Sequence, residues 1–231
     1  MFYYYGIDWT YIVLVLPAII FTIITQIWVK SAYAKMSKIY CEKGYTGADI
    51  AQRILTAAGV SNVSIVSIDG EMTDNFNPRT NTVSLSRGVY GSTSVAAAGI
   101  AAHECGHAIQ YAMGYGPIKM RNTIIPLCNI GSTLSMPLLF AGLIFNFSAL
   151  VYAGVALFAL AVLFQLITLP VEFNASRRAM RALQNGDILS IDELPKARRV
   201  LTAAAMTYVA ALLTSLLTLL RLLILANGNK R

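Results

Sequence analysis

Residues 94–116 read SVAAAGIAAHECGHAIQYAMGYG, and this stretch decides how the rest of the chain is interpreted. It contains the pattern H-E-x-x-H, with His103 and His107 four residues apart and Glu104 directly after the first histidine. On an α-helix this spacing stacks both imidazoles on one face, so both can bind a single zinc ion at about 2.0–2.1 Å. The glutamate can then take a proton from a water molecule at the metal. The pattern predicts a metal site with His103 and His107 as ligands and Glu104 as the base.

The sequence around the motif predicts a helix. Ser94 is a suitable N-cap, and Gly114 or Gly116 is a suitable end. The motif also holds the only two histidines among 231 residues. The alternative is a pair of histidines that only fill a core, and the motif in its helical context favours the metal site. We therefore expect one zinc ion per chain.

The composition is that of a membrane protein. Hydrophobic residues make up 56% of the chain and charged residues only 13%, and the mean hydropathy is +0.60. Soluble domains usually carry about 25% charged residues. The net charge of +7 does not follow a nucleic-acid-binding pattern, because the basic residues cluster beside apolar runs, where they set topology and contact anionic headgroups. We expect the lipid bilayer as a partner and no nucleic acid, and the three scattered cysteines predict no disulfide framework.

Runs without charge divide the chain into five segments. Residues 10–29 are long enough to cross a bilayer, and they are predicted to be a retained anchor and not a signal peptide. Residues 122–171 carry no formal charge and are interrupted at Asn146-Phe147-Ser148, which predicts spans at roughly 124–145 and 149–170. The predicted segments are an N-terminal transmembrane anchor (1–29), a cytoplasmic α+β module with the motif helix (30–121), a transmembrane hairpin (122–171), a cytoplasmic segment with the third zinc ligand (172–199), and a fourth transmembrane helix with a tail (200–231).

The module segment combines a helical pattern with short alternating runs. Residues 46–58 are predicted to form an amphipathic helix. Residues 63–68 and 82–86 alternate as β-strands do, and the segment TDNFNPRTN (73–81) between them is predicted to be a polar loop. The predicted fold class is membrane α-helical, with about four transmembrane helices and a small α+β module.

The basic residues also predict the orientation of the chain. Residues 30–121 contain nine Lys and Arg and residues 172–199 contain six, whereas the opposite side has only Arg221, Lys230 and Arg231. The positive-inside rule therefore predicts that both regions lie on the cytoplasmic side of the cell membrane.

The third zinc ligand is predicted to be a carboxylate, with a cysteine as the alternative, because no histidine remains and catalytic zinc usually takes three protein ligands. Most of the eleven acidic residues are predicted to lie on the wrong side of the membrane, on solvated faces or in loops. Glu172 remains, at the end of the third span, on a predicted helix that the hairpin returns beside the motif helix. The alternative role for Glu172 is an interfacial charge, and Asp74 is the reserve ligand.

Two supporting roles are left open by the residues. Metal-bound histidines generally donate their other N–H to a carboxylate or a carbonyl. Ser176 follows Glu172 by one turn but orients an imidazole only weakly, so we expect Asp74 or a backbone carbonyl to take this role. Transition-state charge needs a donor beyond the metal, and Arg177, Arg178 or a tyrosine are candidates. The alternative for each arginine is a topology charge.

Three segments, taken in order, resemble a known family. TDNFNPRTNTVSLS (73–86), AAHECGHAIQ (101–110) and LPVEFNASRRA (169–179) resemble the bacterial neutral zinc membrane metallopeptidases of the YugP type. The order is more distantly similar to that of the HtpX heat-shock proteases and the CAAX prenyl-proteases.

The resemblance implies a zincin-like metalloprotease module of the gluzincin kind. It implies His103, His107 and Glu172 as zinc ligands and Glu104 as the base. It also implies that strand 82–86 can pair with an extended substrate. The expected function is that of an integral membrane zinc-dependent endopeptidase that hydrolyses peptide bonds at the cytoplasmic membrane surface. The expected partners are membrane-protein or peptide substrates, and membrane-protein quality control is expected by analogy.

Two alternative functions are kept. The first is a site-2-type intramembrane protease with the motif helix inside the bilayer, although residues 95–113 are mostly alanine and glycine and only weakly apolar. The second is a non-enzymatic membrane scaffold with a structural zinc ion, which would usually need four protein ligands.

Overall fold

The structure is a computed structural model that describes residues 8–228. A π-helical turn, Tyr11–Val15, leads into the first of seven α-helices in this part of the chain. The helices are α1 (Leu16–Met36), α2 (Gly47–Ala57), α3 (Arg87–Tyr90), α4 (Val95–Ala112), α5 (Gly116–Ile144), α6 (Ser148–Asn185) and α7 (Leu194–Gly228). The strands are β1 (Ser64–Ile68), β2 (Asn75–Asn77) and β3 (Thr82–Ser86).

Four helical stretches of the described chain are long and apolar enough to cross a membrane. They are Tyr11–Met36, Gly116–Ile144, Ser148–Asn185 and Leu194–Asn227. The predicted fold class, a helical membrane protein with a small α+β module, is confirmed. The predicted interruption of the hairpin is also present, since Asn146 between α5 and α6 has a φ of +54°, a left-handed conformation that asparagine tolerates well.

Helix α6 is longer than the predicted span. The sequence predicts a third span that stops near residue 170, with Glu172 on a helix that follows it. The structure instead has one helix, which continues through Pro170 to Asn185. Proline removes a single backbone N–H from the helix, and the residues after it are good enough helix formers to continue the turn. Glu172 therefore lies on the same helix as the third span.

The chain separates into two compact units. The membrane unit contains Met120–Leu169, with the described residues up to Gln26 and from Thr207 onwards. Its helices approach closely at a glycine, because a Cβ on Gly154 would lie 2.7 Å from the carbonyl oxygen of Ser135. Of the basic residues predicted for the outer side, Arg221 pairs with Asp8 at 3.3 Å, and Lys230 and Arg231 lie outside the described residues.

The module unit consists of Ile27–Lys119 and Pro170–Met206, and it contains the sheet. The strand order is β1-β3-β2, with β3 parallel to β1 and antiparallel to β2. Strand β3 is therefore central. The implied pairing of strand 82–86 with a substrate is wrong, because β1 and β2 already pair with its two edges. The edge strand is β2, in a segment predicted to be a loop. Its sequence, Asn-Phe-Asn followed by Pro78, carries no strand pattern of its own.

The core of the module lies between α2, α4 and the sheet. Helix α2 begins with a capping box, in which the Thr46 side chain accepts from the Asp49 N–H and the Asp49 carboxylate accepts from the Thr46 N–H. Fully buried aliphatic residues from all three parts pack together, including Ile50, Leu85 and Ala98. This core holds the motif helix in place.

Candidate metal centre

Helix α4 carries the H-E-x-x-H motif and is almost completely enclosed. Fourteen of its 18 residues are buried. It begins as the sequence predicts, since the Ser94 side chain accepts a hydrogen bond from the Ala97 N–H at 3.2 Å. It ends where Gly114 adopts a φ of +67°, which closes the last turn. The motif side chains are therefore held on a rigid, well-packed element.

Glu172 of α6 faces both histidines of α4. Its Oε2 lies 3.2 Å from His103 Nε2 and 3.4 Å from His107 Nε2. The donor atoms of the three residues all lie within 4.8 Å of one another. Donors that bind one tetrahedral zinc ion at about 2.0–2.1 Å are roughly 3.3 Å apart. Two imidazole nitrogens and one carboxylate oxygen at this spacing fit a zinc ion with a fourth position left open.

A glycine inside the motif allows α6 to come this close. A Cβ on Gly106 would lie 2.7 Å from the carbonyl oxygen of Ala175. Backbone atoms cannot move aside as a flexible side chain can, so any larger residue would push the two helices apart. Because Ala175 lies one turn after Glu172 on α6, this contact sets the distance from Glu172 to the histidines.

A buried glutamine orients His107. Gln110 lies three residues later on α4 and is fully buried, and its Oε1 is 3.0 Å from His107 Nδ1. Its amide nitrogen donates to the Val171 carbonyl at 2.9 Å and to Asn174 Oδ1 at 3.0 Å. The Oδ1 assignment of Asn174 follows from Arg178 Nε, which can only donate and lies 2.8 Å away. Gln110 therefore presents an acceptor to His107, so His107 carries its proton on Nδ1 and leaves the Nε2 lone pair free for a metal ion.

His103 is oriented by Ser176, and Asp74 has a different role. Ser176 Oγ lies 3.2 Å from His103 Nδ1. Asp74 instead accepts from Ser86, through the backbone N–H at 2.7 Å and the hydroxyl at 3.1 Å. The expectation that Asp74 or a backbone carbonyl orients the imidazole is therefore wrong for His103. The reserve ligand Asp74 does not join His103, His107 and Glu172 in the cluster.

Glu104 points toward the sheet and is 7% exposed. Burial raises the pKa of its carboxyl to about 7. The negative charges of Glu172 and Asp74 act in the same direction, whereas His103 and a hydrogen bond from the Phe76 N–H lower it. A divalent cation at the neighbouring donors would favour the ionised form. Such a carboxylate can exchange a proton near neutral pH, as a general base requires.

The two candidate arginines make no hydrogen bond to the cluster in the structure. Arg178 bonds to Asn174, and Arg177 Nε donates only to the Phe173 carbonyl at 3.4 Å. Arg178 thus acts on His107 indirectly, through Asn174 and Gln110.

Comparison with known proteins gives the family. Residues 11–227 match the sequence model of the family described as "Putative neutral zinc metallopeptidase". The chain belongs to this family. It is also 40% identical over 220 residues to a protein of Bacillus subtilis (strain 168) named "Putative membrane protease YugP", covering 95% of this chain and 98% of that protein. No solved structure matches the chain significantly.

Membership of this zinc metallopeptidase family agrees with the chemistry of the cluster. The resemblance found in the sequence is confirmed, and the family implies zinc as the cofactor. Within that family assignment, the structure brings together the three residues predicted as ligands and places Glu104 beside them.

Sequence reasoning missed Gly106 and Gln110. Both lie in the stretch AAHECGHAIQ, and Gln110 follows His107 by three residues on the same helical face. That spacing is a signal that could have identified Gln110 as a partner of the imidazole. Gly106 gives no such signal, because its importance depends on where α6 packs.

Proposed function

We propose that the chain is an integral membrane zinc endopeptidase in which His103, His107 and Glu172 hold the metal and Glu104 is the general base. The observation that carries the proposal is the position of Glu172 Oε2, 3.2 and 3.4 Å from the two Nε2 atoms. Glu172 is 2% exposed. A carboxylate this deeply buried is stabilised when a cation shares it with two neutral imidazoles.

The reaction proposed is hydrolysis of a peptide bond. A zinc ion held by these donors would polarise the scissile carbonyl and acidify a water molecule. Glu104 accepts a proton from the attacking water as the new C–O bond forms. It then gives this proton to the amine nitrogen as the C–N bond breaks. The Phe76 N–H is directed at the Glu104 carboxylate and favours its ionised form.

We propose that an extended substrate binds along the outer edge of β2. In an antiparallel pair the N–H and C=O of one residue point to the same side. The Phe76 N–H points to Glu104, so its C=O lies on the site side as well. An extended substrate that pairs with this edge would bring its backbone past Glu104. This assigns to β2 the pairing that the family resemblance implied for strand 82–86.

The two alternatives fit the described residues less well. Helix α4 is not among the four helices apolar enough to span a membrane, and it is buried by protein, which argues against an intramembrane site. A structural zinc ion would need a fourth ligand, and Cys105 does not supply one. The Cys105 thiol lies 3.6 Å from the Ala51 carbonyl, and burial raises its pKa, so it stays protonated.

We further propose that the site works at the cytoplasmic membrane surface on membrane-protein or peptide substrates, in membrane-protein quality control. The distribution of Lys and Arg supports this side of the membrane. Accessibility labelling of single cysteines introduced in residues 60–80 and 185–195 tests the side. Comparison of membrane proteins in cells that carry the wild type or Glu104→Gln tests the role through the proteins that accumulate.

The central test separates metal binding from chemistry. Zinc content and cleavage of a quenched fluorescent peptide library are measured for the wild type, Glu104→Gln and His103→Ala. We expect Glu104→Gln to keep one zinc ion per chain while hydrolysis falls about 10²–10⁴-fold, because an amide cannot accept the proton. His103→Ala should lose zinc and hydrolysis together. A zinc-loaded wild type that cleaves no peptide would favour the scaffold instead.

A further inference from the structure

A cavity lies in the module between α6 and α7. Its volume is about 370 Å³, within the range of small-molecule sites. Residues from 173 to 184 of α6 and from 198 to 206 of α7 line it. It shares Ser176 with the metal centre, but none of the three donor residues lines it. We call this cavity the arginine groove.

The arginine groove carries three positive charges that no acidic group balances. Arg177, Arg181 and Arg198 line it, and all three are exposed. None of them forms an ion pair with a described residue, and no Asp or Glu is among the lining residues. Guanidinium groups match phosphate and carboxylate oxygens in geometry as well as charge. The groove is therefore complementary to an anion.

The polarity of the arginine groove changes along its length. At 1.5 Å per residue the α6 wall is about 16 Å long. Phe173 stands at its start, two residues after the charge-free part of α6 ends at Val171. Arg177 follows one turn later, and Arg181 and Gln184 stand at its end. Helix α7 returns after a short connection, so Arg198 lies near the charged end and Met206 near the apolar end. A ligand that matches this gradient has an anionic head and an apolar tail.

The walls of the arginine groove suit a lipid better than a peptide. Both walls are helical, so their backbone N–H and C=O groups are already paired and cannot bond to a peptide backbone. The apolar part of the lining, which includes Met180 and Leu201, would leave peptide N–H and C=O groups without partners. An acyl chain has no such groups. The chain is also a membrane protein, so lipids surround it at high local concentration.

We propose that the arginine groove binds an anionic phospholipid. The phosphate lies among Arg177, Arg181 and Arg198, and one acyl chain lies along Met180, Leu201 and Met206. This inference goes beyond the proposed peptidase function and does not depend on it.

The test measures lipid binding by the full chain without any assay of hydrolysis. Purified protein in zwitterionic detergent is titrated with phosphatidylglycerol or phosphatidylcholine, and bound lipid is counted by native mass spectrometry. The test variant is Arg181→Gln/Arg198→Gln. The matched control is Lys196→Gln/Arg199→Gln, which removes the same charge from α7 at residues outside the groove lining. A third variant, Thr202→Trp, fills the groove at an exposed lining residue without changing any charge.

We expect the wild type and the control pair to bind phosphatidylglycerol alike and to prefer it to phosphatidylcholine. Each arginine near a phosphate should contribute about fivefold, so the Arg181/Arg198 pair should weaken binding about 25-fold. Thr202→Trp should also lose the lipid. If the double variant does not fold, the Thr202→Trp variant still tests the proposal.

Three results would overturn the proposal. The first is equal phosphatidylglycerol binding by the wild type and both groove variants. The second is equal binding of phosphatidylcholine, which would mean that the arginines select nothing. The third is full displacement of the lipid by an equal concentration of soluble glycerol phosphate, which would make the groove a site for free phosphate compounds.

Discussion

The two sides of the candidate metal centre are built in different ways. On the side that faces α6, the Nδ1 atoms of His103 and His107 each have a partner, Ser176 of α6 and Gln110 of α4. The contact of Gly106 with α6 sets the distance between the two helices. On the sheet side, Glu104 has a single backbone partner, in Phe76, and two negative neighbours. The α6 side fixes geometry before any ion binds, whereas the sheet side sets the protonation of one carboxyl. Changes on the first side should affect metal binding, and changes on the second should affect chemistry.

The largest effect is expected at Glu172. Glu172→Gln removes an anionic donor, so zinc affinity should fall by more than the 10–100-fold that is typical when only a partner of a ligand is lost. Glu172→Asp should lose less, because it keeps the charge and shortens the reach by one methylene. Affinity is measured by competition with a chromophoric chelator.

The matched change on the sheet side is Asp74→Asn. Asp74 bonds to Ser86 and not to the histidines, so zinc affinity should change little. If Asp74→Asn emptied the site while Glu172→Gln kept its zinc, the division into two sides would be wrong.

The next effect is expected at Gly106. In Gly106→Ala the new Cβ meets the Ala175 carbonyl oxygen at 2.7 Å, so the unfolding free energy should fall by about 1–3 kcal/mol and zinc affinity should fall with it. Gly99→Ala on the same helix is the control, because its Cβ would lie 3.6 Å from the nearest atom, an ordinary contact. Helix propensity alone should make that control neutral or stabilising. Equal thermal shifts for the two variants would show that the approach of α6 to Gly106 is not tight.

A smaller effect is expected at Gln110. Gln110→Leu removes the acceptor for His107 Nδ1, and zinc affinity should fall about 10–100-fold. Arg178→Ala acts two hydrogen bonds further from the imidazole, so it should lower zinc affinity less than Gln110→Leu does. The check is the His107 tautomer, read from ¹⁵N chemical shifts of labelled histidine in both variants. An unchanged Nδ1–H tautomer in Gln110→Leu would mean that another group orients the ring.

The smallest effect concerns the pH dependence of stability, which tests the protonation of Glu104 on the sheet side. Burial raises the folded pKa of Glu104 to about 7, above its ordinary value of 4.5. The stability that this group contributes is therefore fully present below pH 4.5 and is lost as pH rises to about 7. In metal-free protein, Glu104→Gln should be more stable than the wild type at pH 8 and not at pH 4.5. Melting curves of both proteins across this range test the sign, and a difference independent of pH would contradict it.

Local patterns predicted much of this architecture. The four spans, the helix at 46–58, the strand at 82–86 and the motif helix are each set by periodicity or by caps within a short stretch. Strand β2 escaped prediction because Asn75–Asn77 becomes a strand only through its pairing with β3. The strand conformation of β2 depends on its pairing with β3 and not on its own residues.

The candidate site likewise contains residues that the sequence predicts and contacts that it does not. The histidine pair and Glu104 follow from spacing on one helix, and Glu172 follows from counting the remaining carboxylates. The contact of Gly106 with Ala175 could not be predicted, because it depends on which face of α6 meets α4. The pairing of Asp74 with Ser86 likewise requires the register of the sheet, which a single sequence does not supply.

The distribution of the proposed ligands along the chain also bears on biosynthesis. Glu172 follows His103 by 69 residues, and α5 and the first half of α6 lie between them. A ribosome that adds about 5–20 residues per second needs roughly 3–14 s to cover that distance. During this interval the nascent chain has Glu104 and both histidines but lacks Glu172. The proposed ligand set becomes complete only after α5 and the first half of α6 have been synthesised. We therefore expect an unfinished chain to lack the proposed hydrolytic activity toward the proteins being made around it.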